Sequence, residues 1–261
     1  MDISKAFILG IVEGVTEFLP ISSTGHLILA GDMLGFTGEK AKVFEIFIQL
    51  GAILAVVWLY RERVVSSIKG IGTEKANQFL INLLVAFLPA AFFGLLMHSF
   101  IKHYLFSPIT VAFALVLGGI VMLIIERAAG IPEVMDIDSV SLKKAFGIGL
   151  AQVLSLFPGV SRAGATIMGG MVIGLERKVA TEFSFFLALP TMFAATSYDL
   201  LKNLHSLSAN DAPVFAVGFI TSFFAALLVI KAFIGFVTRH NFNSFGIYRI
   251  VFGIVVLAYY L

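Results

Sequence analysis

The chain has 261 residues, of which 59% are hydrophobic and only 13% are charged, and its mean hydropathy is +1.00. In a soluble domain about a quarter of the residues are charged, and so apolar a chain would leave too little polar surface to face water. A net charge of +2 provides no strongly basic surface for nucleic acid, and the absence of cysteine excludes disulfides and thiolate metal sites. Composition therefore predicts a membrane protein with no nucleic-acid partner.

Two stretches are apolar over about 28 residues but are interrupted near their middle. Residues 7–34, which no signal-peptide pattern precedes, are interrupted at Pro20, and residues 145–175 are interrupted at Pro158. Irregular backbone is tolerated at membrane depth only where protein or a water-filled cavity surrounds it. We call these stretches the first and second broken segments, and we predict that each is a re-entrant helical hairpin.

Six other runs are apolar and close to the roughly 20 residues that a helix needs to cross a bilayer. The predicted membrane-spanning helices are residues 44–60, 81–98, 109–125, 183–200, 214–236 and 245–261. Together with the two broken segments they predict an all-α polytopic membrane protein.

An internal repeat relates the two broken segments. Residues 10–51 align without gaps on residues 149–190, and the break, a serine and the following helix coincide. Identical pairs include Gly10 with Gly149, Phe18 with Phe157, Ser22 with Ser161, Gly25 with Gly164, and Gly35 with Gly174. The alternative, two unrelated glycine-rich helices, does not explain a single register. The sequence thus predicts one membrane domain, 1–261, with repeats of about 1–126 and 140–261.

Each repeat would contain one broken segment and three spans. Because three is odd, the second repeat must be inverted relative to the first, and inverted repeats bring their broken helices together near the midplane. Most arginines and lysines fall on one side, which the positive-inside rule assigns to the cytoplasm. The other side has only Lys5, Lys40, Lys42, Lys102 and Lys202. Both termini and the opening of the first broken segment are therefore predicted to be extracytoplasmic.

Two acidic residues lie in the first broken segment. Glu13 and Glu17 are one helical turn apart, so their carboxylates project from one face. Ionisable residues inside a membrane are costly and are functional candidates by default. The alternative is that they pair with Arg162 or Arg249 and only hold the repeats together.

Hydroxyl residues and a histidine follow Pro20. Ser22, Ser23 or Thr24 can cap the next helix, and the N-terminus of that helix offers N–H groups to an anion. Capping does not explain His26, which lies three residues after Ser23 and hence on the same helical face. The pattern is typical of a nucleophile or cap beside a base.

In the second broken segment Arg162 occupies the repeat position of Ser23, with Ser161 and Thr166 close by. The planar guanidinium of arginine suits phosphate, although an ion pair with Glu17 is the alternative role. The sequence contains no GxSxG, P-loop or HExxH motif. These residues together predict a phosphate-handling site.

The motifs EGVTEFLPISSTGH and PGVSRAGAT resemble the two signatures of the bacterial undecaprenyl-diphosphate phosphatase family associated with bacitracin resistance. The resemblance covers essentially the whole chain, including FEIFIQLGAILAV and EFSFFLALP. It implies an enzyme of the bacterial inner membrane that hydrolyses the C55 polyprenyl diphosphate to the monophosphate, which recycles the carrier lipid for cell-wall synthesis. The alternative is a transporter or lipid flippase, because secondary transporters also use inverted repeats with broken helices.

The resemblance and the chemistry of the residues together assign roles to individual side chains. Catalysis is assigned to Ser23, His26, Glu17 and Arg162, and phosphate binding to Arg162, Ser22, Thr24, Ser161 and Thr166. Ser23 would attack phosphorus or orient a water, and His26 would serve as base and then acid. A divalent cation, magnesium or calcium, is implied on Glu17 and Glu13, and the expected partners are the polyprenyl diphosphate and membrane lipids, with a homodimer left open. One departure is Ala163, because the family's second motif usually reads Ser-Arg-Ser.

Overall fold

The computed structural model describes residues 2–101, 105, 107–203 and 211–261, so Lys102 lies outside the described residues. Eleven α-helices lie within this part of the chain. They are α1 (Ile3–Thr16), α2 (Ser23–Met33), α3 (Glu39–Leu59), α4 (Arg61–Lys69), α5 (Glu74–Phe100), α6 (Pro108–Ala128), α7 (Leu142–Val153), α8 (Arg162–Val172), α9 (Arg177–Asn203), α10 (Ala212–Val237) and α11 (Asn243–Tyr260). The β pairing found among the same residues is one isolated bridge, between Val134 and Leu175.

Six of the described helices are long and apolar enough to cross a membrane, which confirms the predicted number of spans. They are Lys40–Leu59, Glu74–Met97, Pro108–Ala128, Arg177–Lys202, Ala212–Val237 and Asn243–Tyr260. The predicted spans are too short at their N-terminal ends, most of all in α5 and α9, because polar first turns extend these helices beyond their apolar cores. The short helix α4 was not predicted, since its sequence RERVVSSIK lies outside every apolar run.

The first helix of each broken segment packs along a span from the other half of the chain. Helix α1 packs along α10, and α7 packs along α5. Gly10 faces the backbone of Gly218, and Gly149 faces the backbone of Ala86, so closely that a Cβ atom on either glycine would collide. Small residues allow this approach, and close packing holds helices together where lipid provides no hydrophobic driving force. The two halves of the chain are therefore interleaved.

The ends of each broken segment lie close together. Before α7, the backbone N–H of Val134 donates to the carbonyl of Gly174, which follows α8, and Glu176 N–H donates back to Val134. At the first broken segment, Ala6 and Leu9 of α1 share an apolar cluster with Leu27 of α2 and with the partly buried Leu34 just after α2. The chain thus turns back on itself in both segments.

The second helices of the two segments start at equivalent positions. Helix α2 begins at Ser23 and α8 at Arg162, which agrees with the spacing of the sequence repeat. The residues just before them, Ser22 and Ser161, have φ angles of 70° and 72°. Positive φ is uncommon for a residue other than glycine. We call residues 17–22 and 154–161 the first and second breaks, and both end in this unusual conformation.

Candidate active site

A buried ion pair joins the first break to the start of α8. Glu17 is the C-cap of α1, and Arg162 is the first residue of α8. Nη2 of Arg162 donates to Oε1 of Glu17 at 3.1 Å, and the two side chains are only 10% and 7% exposed. This is the ion pair named above as the alternative role of Arg162.

The other oxygen of the same carboxylate accepts a hydrogen bond from the serine that begins α2. Ser23 Oγ donates to Glu17 Oε2 at 2.5 Å, and Ser23 is buried at the start of α2. A carboxylate that already accepts a hydroxyl proton is placed to remove that proton when the oxygen attacks. The sequence pattern suggested His26 for this role and did not reveal the contact with Glu17.

His26 has a different set of partners. Its Nδ1 lies 2.8 Å from the carbonyl oxygen of Ser22, and its Nε2 lies 2.7 Å from the hydroxyl of Tyr248. Because a carbonyl can only accept, Nδ1 carries a proton and Nε2 is free to accept from Tyr248. The imidazole also stacks on Phe252, with ring centroids 4.1 Å apart. Among the hydrogen bonds of the described residues, none joins His26 to Ser23, so the predicted role of His26 as base for Ser23 stays a prediction.

Arg162 retains one N–H without an acceptor. Its Nη1 donates to the carbonyl of Ser184 at 3.0 Å, and Nη2 also approaches the sulfur of Met192 at 3.3 Å. Its Nε is buried and has no partner among the described residues. An unpaired buried donor is costly, and an arriving phosphate oxygen would satisfy it.

The other hydroxyl residues that were predicted to bind phosphate differ in whether they cap a helix. Ser161 Oγ accepts from Gly164 N–H at 3.1 Å and so caps α8, whereas the side chain of Ser22 makes no capping bond to α2. Thr166 donates to the carbonyl of Arg162 at 2.9 Å, and Thr24 is half-buried on α2. The side-chain cap that was predicted for the helix after the first break is therefore absent from α2, whereas Ser161 provides such a cap for α8.

Glu13 is fully buried, and both of its carboxylate oxygens lack hydrogen-bond partners among the described residues. A bare buried carboxylate is expensive, and a hard divalent cation is one group that would satisfy it. Within the described residues no cluster of three or more His, Asp or Glu side chains is arranged to hold a metal. Glu13 and Glu17 are the residues that would hold such a cation, since oxygen ligands suit Mg²⁺ and Ca²⁺. The carboxylates of Glu13 and Glu17 suit a divalent cation, and the binding of such a cation stays a prediction.

Two further residues near the breaks were missed by sequence reasoning, and both lie on α11. Tyr248 carried no sequence signal, since tyrosine is ordinary in a span. Arg249 was noted only as an alternative ion-pair partner for the acids, but its guanidinium contacts backbone carbonyls of both breaks, including those of Pro20 and Val160. The sequence signal that could have identified Arg249 was a charged residue within an otherwise apolar span.

Comparison with known proteins identifies the family. Residues 6–255 match the family described as bacitracin resistance protein BacA. The undecaprenyl-diphosphatase of Methylobacillus flagellatus is 57% identical over 98% of this chain and 97% of its own length. That of Nitrosomonas europaea is 57% identical over 97% and 93%, and that of Caldanaerobacter subterraneus is 52% identical over 97% and 94%. The chain therefore belongs to the bacitracin resistance protein BacA family.

Proposed function

We propose that this chain is a membrane phosphatase that hydrolyses undecaprenyl diphosphate to undecaprenyl phosphate and inorganic phosphate. That reaction recycles the carrier lipid for cell-wall synthesis and accounts for bacitracin resistance. The observation that carries the proposal is the Glu17 carboxylate, which binds the Ser23 hydroxyl through one oxygen and the Arg162 guanidinium through the other. The names of the relatives favour hydrolysis over the alternative of a transporter or flippase.

Arg162 is the anchor for the terminal phosphate. Its unpartnered Nε and the N–H groups at the start of α2 provide donors for phosphate oxygens. Substrate oxygens also displace Glu17 as the partner of Nη2, which frees that carboxylate for proton transfer. Most of the barrier reduction comes from positioning and charge neutralisation, as in phosphoryl transfer generally.

Two routes for the displacement are compatible with this geometry. In the first, Ser23 Oγ attacks the terminal phosphorus, its proton passes to Glu17, and the bond to the bridging oxygen breaks to release the lipid monophosphate. Water then hydrolyses the phosphoserine and restores both side chains. In the second, Ser23 orients a water that attacks directly. In both, the hydrogen-bonded His26 and Tyr248 supply a proton path next to the first break.

Glu13 and Glu17 are the residues that we assign to a divalent cation, magnesium or calcium. When bound, such a cation would neutralise part of the diphosphate charge. Glu13 lies in the last turn of α1 and Glu17 is its C-cap, and both carboxylate oxygens of Glu13 lack hydrogen-bond partners among the described residues.

For the architecture, we propose that the two broken segments are re-entrant hairpins in repeats of inverted topology. Three observations support this: the closeness of the two ends of each segment, the contacts of both breaks with Arg249, and the packing of α1 on α10 and of α7 on α5. The clustering of basic residues supports a site that opens to the extracytoplasmic side, with both termini there. Tagging each terminus and measuring protease access in sealed cells tests the sidedness.

Phosphate release in detergent tests the function. Purified protein should release phosphate from a polyprenyl diphosphate with no membrane gradient present. A transporter or flippase would release none. Arg162→Ala and Glu17→Ala should bind the lipid but release phosphate at least about 10³-fold more slowly. Arg63→Lys is the matched control, because Arg63 pairs with Asp138 away from the breaks. Lipid binding with unchanged release in the two site variants would exclude this enzyme mechanism. Quenching with labelled substrate then separates the two routes, since only the first leaves phosphate on Ser23.

A further inference from the structure

Arg249 lies in the middle of α11 and is 1% exposed, yet it forms no salt bridge among the described residues. All of its hydrogen bonds go to backbone carbonyls. Nη1 donates to Pro20 at 3.1 Å and Val160 at 2.9 Å, Nη2 donates to Gly159 at 3.0 Å and Ala114 at 3.2 Å, and Nε donates to Leu115 at 3.4 Å. The five N–H groups of one guanidinium are therefore shared among the first break, the second break and α6.

Glycines make room for this guanidinium. A Cβ atom on Gly118 of α6 would overlap Nη2 of Arg249, and one on Gly164 of α8 would lie 3.1 Å from Nη1. Gly159 itself has φ 92° and presses against the backbone of Val111, so it leaves no space for a side chain. The pocket thus fits the guanidinium closely and no larger group.

The carbonyls that Arg249 binds in the two breaks lie just before the strained serines. Val160 directly precedes Ser161, and Pro20 lies two residues before Ser22. Positive φ at a non-glycine residue persists only where surrounding contacts over-determine it. The residues that follow these serines are Arg162 and Ser23, so a contact that fixes both carbonyls also fixes where the phosphate anchor and the nucleophile begin.

We propose that Arg249 is a positioning residue: its guanidinium ties the two breaks together and so sets the spacing between Ser23 and Arg162. This inference rests on the proposed phosphatase function, but it concerns a residue that touches no reacting atom. Lysine cannot replace it, because one ammonium group has three donors at a single point and does not span carbonyls on three segments.

The test combines kinetics with a distance measurement. The chain has no cysteine, so Ile28→Cys on α2 and Phe157→Cys in the second break provide unique sites for spin labels. In this background, Arg249→Lys and Arg249→Met should each broaden the distance distribution between the labels. The same substitutions without labels should lower kcat about 10- to 100-fold with KM nearly unchanged, as expected when a catalytic group is misplaced. Arg63→Lys should change neither quantity.

Gly118→Ala is the milder companion variant, because the added methyl displaces the end of a flexible side chain rather than backbone. It should lower kcat in the same direction and also broaden the distribution. Wild-type kcat or an unchanged distribution in Arg249→Lys would overturn the proposal, since charge rather than geometry would then suffice. If the Arg249 variants do not fold, Gly118→Ala decides alone, and wild-type behaviour of that variant overturns the proposal. Absence of phosphate release by the unsubstituted protein would instead refute the proposed function, while the distance measurement still tests Arg249.

Discussion

The two broken segments have the same backbone plan and different chemistry. The break within each segment ends in a serine of positive φ, at 70° and 72°, and the next residue starts a helix in each case. At that position the first segment has Ser23 and the second has Arg162. At the repeat position of Glu13 the second segment has Gln152, which is also fully buried. The same backbone conformation therefore presents the Ser23 hydroxyl from the first segment and the Arg162 guanidinium from the second, and Glu17 binds both.

The buried acid and the buried amide differ in what satisfies them. Gln152 donates to the carbonyl of Ala86 at 3.4 Å and accepts from Thr191 at 3.3 Å. Both oxygens of Glu13 are without partners among the described residues. The position therefore accommodates a polar side chain in either segment, but only the first carries an unsatisfied charge-bearing group. Such a group lowers stability and is retained where function requires it.

Ser23→Ala should have the largest effect of the substitutions that distinguish the segments. It removes the hydroxyl bound to Glu17, and we expect kcat for phosphate release to fall on the order of 10³-fold, with the fold intact. Ser161→Ala, in the second break, should reduce kcat much less, because its hydroxyl caps α8 at Gly164 N–H. Equal losses in the two variants would mean that the segments do not have distinct roles.

Glu13→Gln makes the first segment resemble the second. Release should fall about 10- to 100-fold, while the free energy of unfolding should rise by about 1 kcal/mol, because the amide avoids a bare buried carboxylate. Thermal unfolding and phosphate release measured on the same preparation check both parts. The reciprocal variant, Gln152→Glu, should lower stability without any gain in activity. A Glu13→Gln protein that is both less stable and fully active would contradict this interpretation.

Tyr248→Phe removes the hydroxyl that lies 2.7 Å from His26 Nε2 and retains the aromatic ring. We expect kcat to fall about tenfold, because the imidazole loses the partner that orients it and links it to the proton path. Steady-state kinetics of the variant, beside Tyr259→Phe as the matched control on the same helix, check this. An unchanged kcat would remove Tyr248 from the site.

Ser22→Gly and Ser161→Gly should have small and unequal effects on stability. Glycine adopts positive φ without strain, so Ser22→Gly should raise the free energy of unfolding by about 1 kcal/mol. Ser161→Gly relieves the same strain but loses the cap on Gly164 N–H, so its gain should be smaller. Chemical denaturation of the two variants measures the difference. A larger gain at Ser161 would show that its cap has no energetic role.

The smallest expected effect lies outside both segments. Arg63 and then Lys75 hold the pKa of the Asp138 carboxyl below its ordinary value of 3.8. Because the folded pKa is lowered, the stabilisation is present above pH 4 and is lost as the pH falls through the folded value. Asp138→Asn should therefore cost about 0.5 kcal/mol at pH 7 and nothing at low pH, with phosphate release unaffected. A constant difference between the two proteins at every pH would exclude the charge interaction.

The spans were predictable from the sequence because hydrophobic run length sets them, and the breaks because a proline there lies within a cluster of polar residues. The Glu17–Arg162 pair was also anticipated, since two ionisable residues inside one membrane domain tend to meet. The partners of Ser23 and His26 were not, because they depend on how a turn closes and on packing against α11, far along the chain. The contacts of Arg249 with both breaks were not predictable either. They depend on which backbone carbonyls the breaks leave free, and no local sequence pattern encodes this.

We expect Glu17, Ser23 and Arg162 to act as one unit across the two segments. A double-mutant cycle on kcat/KM with Ser23→Ala and Glu17→Gln tests it most directly. If the carboxylate acts through the hydroxyl, the double variant should be no slower than the slower single variant. If the two losses multiply, the residues act independently and the bridging role of Glu17 is wrong.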